Sequence, residues 1–281
     1  MKLQFAGLFV LFSLPSLAQD LYPTFTYRKA SDSIAWTSAW EKYENGRYKE
    51  AINVLDKLPR AYRADAATYR LKALCLTELK EYTAALYWLG GAMFEAPDNY
   101  GLLKDRAQVR YYQKDYRAQA ADLAAYLHFV KDDTAAIYNY VLAVMELGEY
   151  EKGTAMLETF EFKDAGLHAL SGECYLQQGM FNMAVYALNA GLEVFPQDTY
   201  LHTKLVIAHF YLSEYDLALE TTEKLIALAP EDGYSYALRG WIYEEMDRMF
   251  DARVSFELAE YYGYEFDYED EEDDEDEGDY Y

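Results

Sequence analysis

The sequence predicts an all-α protein in which about seven helical hairpins stack into a solenoid over residues 32–264. Three observations carry this. Sliding the chain against itself gives a register near 34 residues, and a fixed period of roughly 20–50 residues marks a repeat architecture. Within each unit, apolar residues recur at helical spacing in two runs joined by a short turn. The composition, 52% hydrophobic and 26% charged in 281 residues, supplies a core and excludes a chain disordered throughout.

The units begin near Asp32, Ala66, Tyr100, Thr134, Ala165, Thr199 and Gly233, at intervals of 34 residues except for one of 31 after Thr134. Each second helix opens with a large residue three places before a small one: Tyr48 and Ala51, Tyr82 and Ala85, Phe181 and Ala184, Tyr215 and Ala218, Met249 and Ala252. Tyr116 and Tyr150 continue the series, with Gln119 and Gly153 standing where alanine is usual. The turns often carry glycine, as at Gly46, Gly148 and Gly179, while Pro97, Pro196 and Pro230 stop second helices and Pro59 ends the first unit early. Small residues Ala73, Ala107, Gly172 and Gly240 recur at the eighth position, where two helices must approach closely. From the second helices Leu55, Leu89, Leu123, Leu157, Leu188 and Phe256 fill the groove. One hairpin cannot bury its own apolar face, and stacking builds the continuous core.

With these residues in place, positions 32 to about 264 resemble tetratricopeptide repeats. The second unit carries the likeness best, with Tyr69, Ala73, Leu76, Tyr82, Ala85, Leu89, Ala92 and Pro97 on family positions. The resemblance implies a right-handed superhelix whose first helices line a concave face. It puts Trp36, Trp40 and Tyr43 of the first unit, Arg70 of the second, and Lys104, Gln108, Tyr111 and Tyr112 of the third on that face. Tyr138, Tyr200, Phe210, Tyr211, Tyr234 and Trp241 extend it through the later units. It further implies a non-catalytic scaffold that holds a protein or peptide partner in this aromatic-rich groove, since Trp, Tyr and Arg most often carry interface energy. Long aromatic side chains also fill ordinary cores, and a glycan stacking on the same rings is the rival ligand. The family's clamp for chaperone tails needs a specific set of Lys, Asn and Arg side chains, which only Lys104 and Arg70 approximate, so that specificity is not expected.

The chain ends read differently. Lys2, the apolar stretch Phe5 to Leu17 and the small residues of Ser16-Leu17-Ala18 have the layout of a secretory signal cleaved after residue 18, leaving a short extension, 19–31, before the repeats. Pro15 interrupts the stretch, which falls short of the roughly 20 apolar residues of a spanning helix. No cysteine sits at the cleavage point and no Asn-x-Ser/Thr acceptor occurs. The expectation is an exported protein, periplasmic or secreted, working in bacterial envelope assembly or secretion. Residues 265–281 hold twelve acidic side chains and no basic one, a block expected to be disordered. It lacks the spacing of a calcium loop. It reads as a solubilising charge block, or as a competitor for the basic units. The Tyr-rich run Tyr261, Tyr262, Tyr264, Phe266 and Tyr268 is expected to fold back over the last hairpin or to meet another chain.

Charge narrows the partners. With 25 basic and 49 acidic residues the net is −24, which repels a phosphate backbone, so no nucleic acid is expected. Residues 42–117 nonetheless carry +4 and residues 118–264 carry −16, which makes an acidic or C-terminal peptide a natural guest of the first aromatic set. His168 and His202 fall at the same place of adjacent units but lack a third convergent ligand, and His128 and His209 add none. No catalytic motif is present, so neither an enzyme nor a cofactor or metal is expected. Cys75 and Cys174 lie three repeats apart, beyond the roughly 4.4–6.8 Å a disulfide spans, and are expected to be buried free thiols.

Overall fold

The computed structural model describes residues 30–159 and 164–266. The expected signal segment, the extension up to residue 29, and residues 267–281 of the acidic tail with Tyr268 lie outside the described residues. Among the described residues the regular structure is all helical. The chain divides into two compact units, Met1–Leu157 and Glu158–Tyr281.

The first unit holds α1 (Ala30–Glu44), α2 (Tyr48–Asp56), the single turn α3 (Arg60–Arg63), α4 (Ala66–Glu78), α5 (Tyr82–Glu95), α6 (Gly101–Tyr112), α7 (Tyr116–Phe129), α8 (Thr134–Glu146) and α9 (Tyr150–Leu157). The second holds α10 (Ala165–Gln177), α11 (Phe181–Val194), α12 (Thr199–Tyr211), α13 (Tyr215–Leu228), α14 (Gly233–Glu245) and α15 (Met249–Tyr261). Helices begin at Ala66, Thr134, Ala165, Thr199 and Gly233, as the register expects, and at Gly101 and Ala30 in place of Tyr100 and Asp32. The turn α3 was not expected. It follows Pro59, whose φ of −52° and missing N–H suit the residue before a helical start. The short interval has its counterpart in α9, only eight residues long and carrying Gly153 in place of alanine.

Aspartates open most of the first helices. Asp65, Asp133, Asp164, Asp198 and Asp232 each accept a hydrogen bond from a backbone N–H of the first turn, and Asp115 does the same for α7. The turns within the hairpins share one left-handed residue. Gly46, Gly148 and Gly179 take it at φ of 70–71°, whereas Lys80, Lys114, Ser213 and Asp247 take it at 57–63°.

Close packing follows the eighth position. Ala73 and Leu89, on α4 and α5, are both essentially inaccessible in one core cluster. A Cβ at Gly172 would stand 2.5 Å from Leu188, and one at Gly240 would run into the ring of Phe256. Beyond α15, Gly263 reverses the chain at φ 82°, and Tyr262, Tyr264 and Phe266 fold back over the last hairpin, leaving Tyr261 exposed.

Candidate partner-binding surfaces

The structure moves part of the expected groove into the core. Trp36 and Trp40, on α1, are 7% and 8% exposed and stack at 6.0 Å within a cluster that includes Ala51, Leu55, Leu71 and Cys75. The nine-residue α2 buries only Ala51 and Leu55, so two indoles supply the bulk this hairpin needs, and they are not groove residues. Tyr43 is half-buried, 5.4 Å from Trp40 and 5.7 Å from Tyr48. Burial, with Glu78 next, pushes its hydroxyl well above the usual tyrosine range.

The expected cations are spent inside the fold. Arg70 of α4 is 4% exposed and clasps Asp105 of α6, with Nη2 3.1 Å from Oδ1 and Nε bonded to Oδ2. Lys104 Nζ lies 2.8 Å from Asp133 Oδ2, which also accepts from the Tyr126 hydroxyl at 2.8 Å. Burial raises the Asp133 carboxyl, but Lys104, the Ala136 N–H and Tyr126 outweigh it and hold the pKa below the usual range. Arg106 and Arg110 both engage Asp122, and Lys72 pairs with Asp56 over the ring of Trp88. Arg70, Lys72, Lys104, Arg106 and Arg110 are thus held by carboxylates, and the surplus of +4 falls to exposed cations such as Lys49, Lys57, Lys80, Lys114 and Arg117, outside the expected groove set.

What stays accessible in the first unit is smaller. Tyr112, 47% exposed, stacks on Tyr82 at 5.8 Å and leans on Tyr111 at 5.6 Å. Gln108 and Tyr138 are half-buried on α6 and α8. Beside Tyr111 opens a cavity of about 200 Å³. Tyr116 and Gln119 from the start of α7, and Asn139 and Glu146 from α8, help to line it. Gln119 was legible only as a departure from alanine; that its amide borders a cavity depends on how α7 and α8 meet.

In the second unit Tyr200 and Tyr211 are 43% and 40% exposed. Lys204, paired with Glu173, lies 5.1 Å over Tyr200, while Tyr211 stacks on Phe181 at 5.0 Å with Phe210 at its edge. Tyr234 and Trp241 are taken by the C-terminal run. Tyr264 lies 5.6 Å from Tyr234 and 6.0 Å from Trp241, and Phe266 lies 6.2 Å from Trp241.

The thiols and imidazoles have structural places. Cys75 and Cys174 are buried, and burial pushes each thiol up to about 12. His202 Nε2 meets the Pro196 carbonyl at 3.0 Å, His209 Nδ1 meets Glu214 at 2.7 Å, and His168 packs on Gly191. Among the described residues no cluster of three metal-ligating side chains occurs, and no helix is long and apolar enough to cross a membrane.

Paired helices at a 34-residue register, with a small residue where they cross, define an α-hairpin repeat protein. The particular fold is the tetratricopeptide repeat. The C-terminal part of a TPR repeat-containing protein from Cytophaga hutchinsonii superposes with a TM-score of 0.69 at 15% identity, covering 81% of this chain and 95% of that one. A tetratricopeptide repeat protein from Parabacteroides merdae gives 0.57 at 17% identity, over 84% of this chain and 94% of its own. YrrB, described as a TPR protein with an unusual peptide-binding site, gives 0.53 at 17% identity over 67% and 95%. No model of a known protein family matches the sequence, and no curated protein matches it.

Proposed function

We infer that the protein is a non-catalytic scaffold that binds a polypeptide partner on the accessible faces of its first helices. The observation that carries this reading is the tyrosine patch of the first unit. Tyr82 and Tyr112 stack, Tyr111 adjoins them, and Tyr112 stays half in water although the neighbouring hairpins have ample aliphatic residues for their cores. Amphipathic rings displayed beside a small cavity suit protein recognition. The peptide-binding site named for YrrB supports the same class of ligand. Tyr200, Phe210 and Tyr211 form the corresponding surface of the second unit.

The setting is proposed from the sequence. The signal layout of residues 1–18, with cleavage before Gln19, supports export to the periplasm or the medium, and we propose envelope assembly or secretion as the setting. Residues 265–281 act as a solubilising acidic tail.

Peptide display against the mature protein tests the binding. Tyr111→Ala/Tyr112→Ala, checked by circular dichroism for unchanged helicity, should lose at least about tenfold in affinity for peptides selected by the wild type. Trp36 and Trp40 stay untouched because removing them would empty the first core. Unchanged affinity would move the site elsewhere, and displacement of the peptides by a soluble oligosaccharide would favour a glycan module on the same rings.

A further inference from the structure

The cavity beside Tyr111 has a chemistry that the rest of the first unit does not share. Its volume of about 200 Å³ is below the roughly 300–1,000 Å³ of small-molecule and cofactor sites, and suits one side chain. Leu142 and Ala143 contribute apolar lining, and Tyr111 and Tyr116 contribute two aromatic residues.

Gln119 is the unusual member. At its place in other hairpins stand Ala51, Ala85, Ala184, Ala218 and Ala252, all at most 2% exposed. Gln119 is itself 4% exposed, and its Oε1 is buried without a hydrogen-bond partner among the described residues. An acceptor in that state is a standing cost, which a turn of the amide toward an N–H donor in the cavity would remove. Glu146, an exposed residue, lines the same cavity. Burial first, and then the Glu146 carboxylate, push the Tyr116 hydroxyl up, so that ring offers no charge. No basic side chain lines the cavity, and Arg110, on the preceding helix, is held by Asp122 and the Ala118 carbonyl.

A carboxylate, two side-chain amides that can each accept through their oxygen, and two aromatic rings, with no cation in the lining, suit a flat cationic group that donates. Guanidinium fits this description: it has five N–H donors, no acceptor, and a face that stacks on aromatic rings. We propose that the cavity between α6, α7 and α8 is a pocket for a guanidinium group, supplied by an arginine of the polypeptide partner. The Glu146 carboxylate accepts its N–H groups, Gln119 Oε1 does so once its amide turns toward the cavity, and Tyr111 and Tyr116 flank its plane. The source of the guanidinium rests on the peptide-binding reading; the pocket chemistry does not. It takes a basic group, whereas the charge count of residues 42–117 suggested an acidic guest for the first aromatic set.

The probe is N-acetyl-arginine-methylamide, titrated into the 15N-labelled mature protein beside its neutral isostere, N-acetyl-citrulline-methylamide. Arginine should give saturable shifts at the Gln119 side-chain amide and at Asn139 and Glu146, with citrulline at least about tenfold weaker, because charge-assisted hydrogen bonds are roughly twice as strong as neutral ones. Glu146→Gln, at an exposed position, should weaken arginine about tenfold and abolish the preference. Gln119→Ala, which installs the residue of the other hairpins, should weaken both probes. Absence of saturable shifts, an equal response to citrulline, or arginine binding unchanged in both variants overturns the pocket. The probe has no peptide sequence, so these outcomes judge the pocket alone; if arginine titrates it while no displayed peptide binds the wild type, the polypeptide reading falls and the pocket stands.

Discussion

At the scale of single residues, the charges of the first unit hold helices together before they can recruit anything. Arg70 and Asp105 are both nearly inaccessible, and each is costly to bury alone. Asp105→Ala, which strands the guanidinium, should therefore lose about 3–5 kcal/mol in urea denaturation followed by circular dichroism. Arg70→Met/Asp105→Leu removes both charges and should lose far less; an equal loss would mean that packing volume, not the unpaired charge, sets the cost. Asp133 adds a pH dependence. Its carboxyl titrates below the usual range when folded, so its contribution is present above the unfolded pKa near ~3.9 and is lost as pH falls through the lower folded value. The stability gap between wild type and Asp133→Asn should be constant from pH 7 to about pH 5 and close on further acidification. A gap that widens with acid would contradict the sign. None of this was visible in the sequence, where Arg70 and Lys104 read as free groove cations, because their partners Asp105 and Asp133 lie 35 and 29 residues away.

At the scale of elements, the repeat is more regular than its residues. The hairpin turn uses the same left-handed conformation whether glycine occupies it or not, and the residues that depart from glycine pay a steric cost between Cβ and the carbonyl. Lys80→Gly and Ser213→Gly should each stabilise their hairpins by about 0.5–1 kcal/mol, less whatever entropy glycine adds to the unfolded chain. Lys80→Ala keeps the Cβ and should gain nothing, so a gain there would locate the effect in the lysine's charge. Helix starts, eighth-position glycines and second-helix leucines were legible because they follow from period and volume: only a residue without a Cβ fits against Leu188 or Phe256. The turn after Pro59 was less so, since four residues are too few for a period to register. The exchange of groove for core at Trp36 and Trp40 was hidden for another reason. An indole at a first-helix position is compatible with either side, and the short α2 decides between them.

At the scale of the whole molecule, the C-terminal run shows the same limit. Its aromatic residues were legible as sticky, and the structure supplies their partner, the Tyr234 and Trp241 face of α14. The two buried cysteines give a way to ask how far a local change is felt, because Cys75 lies in one compact unit and Cys174 in the other. With each thiol pushed to about 12 by burial, almost no thiolate exists at pH 8 in the folded state, and labelling reports opening of the surrounding helices. In a repeat protein, stability is close to a sum of unit and nearest-neighbour terms, so a defect should raise opening near itself. Gly172→Ala forces a Cβ against Leu188 in the hairpin that holds Cys174, an overpacking worth ~1–3 kcal/mol. Iodoacetamide labelling of Cys174, followed by peptide mass spectrometry, should then speed up about tenfold or more, with Cys75 within about twofold of wild type. Asp105→Ala should produce the mirror pattern, since Arg70 sits on the helix that carries Cys75. Equal acceleration of both thiols by either variant would mean that the chain opens as one cooperative block, and the nearest-neighbour account would be wrong for this protein.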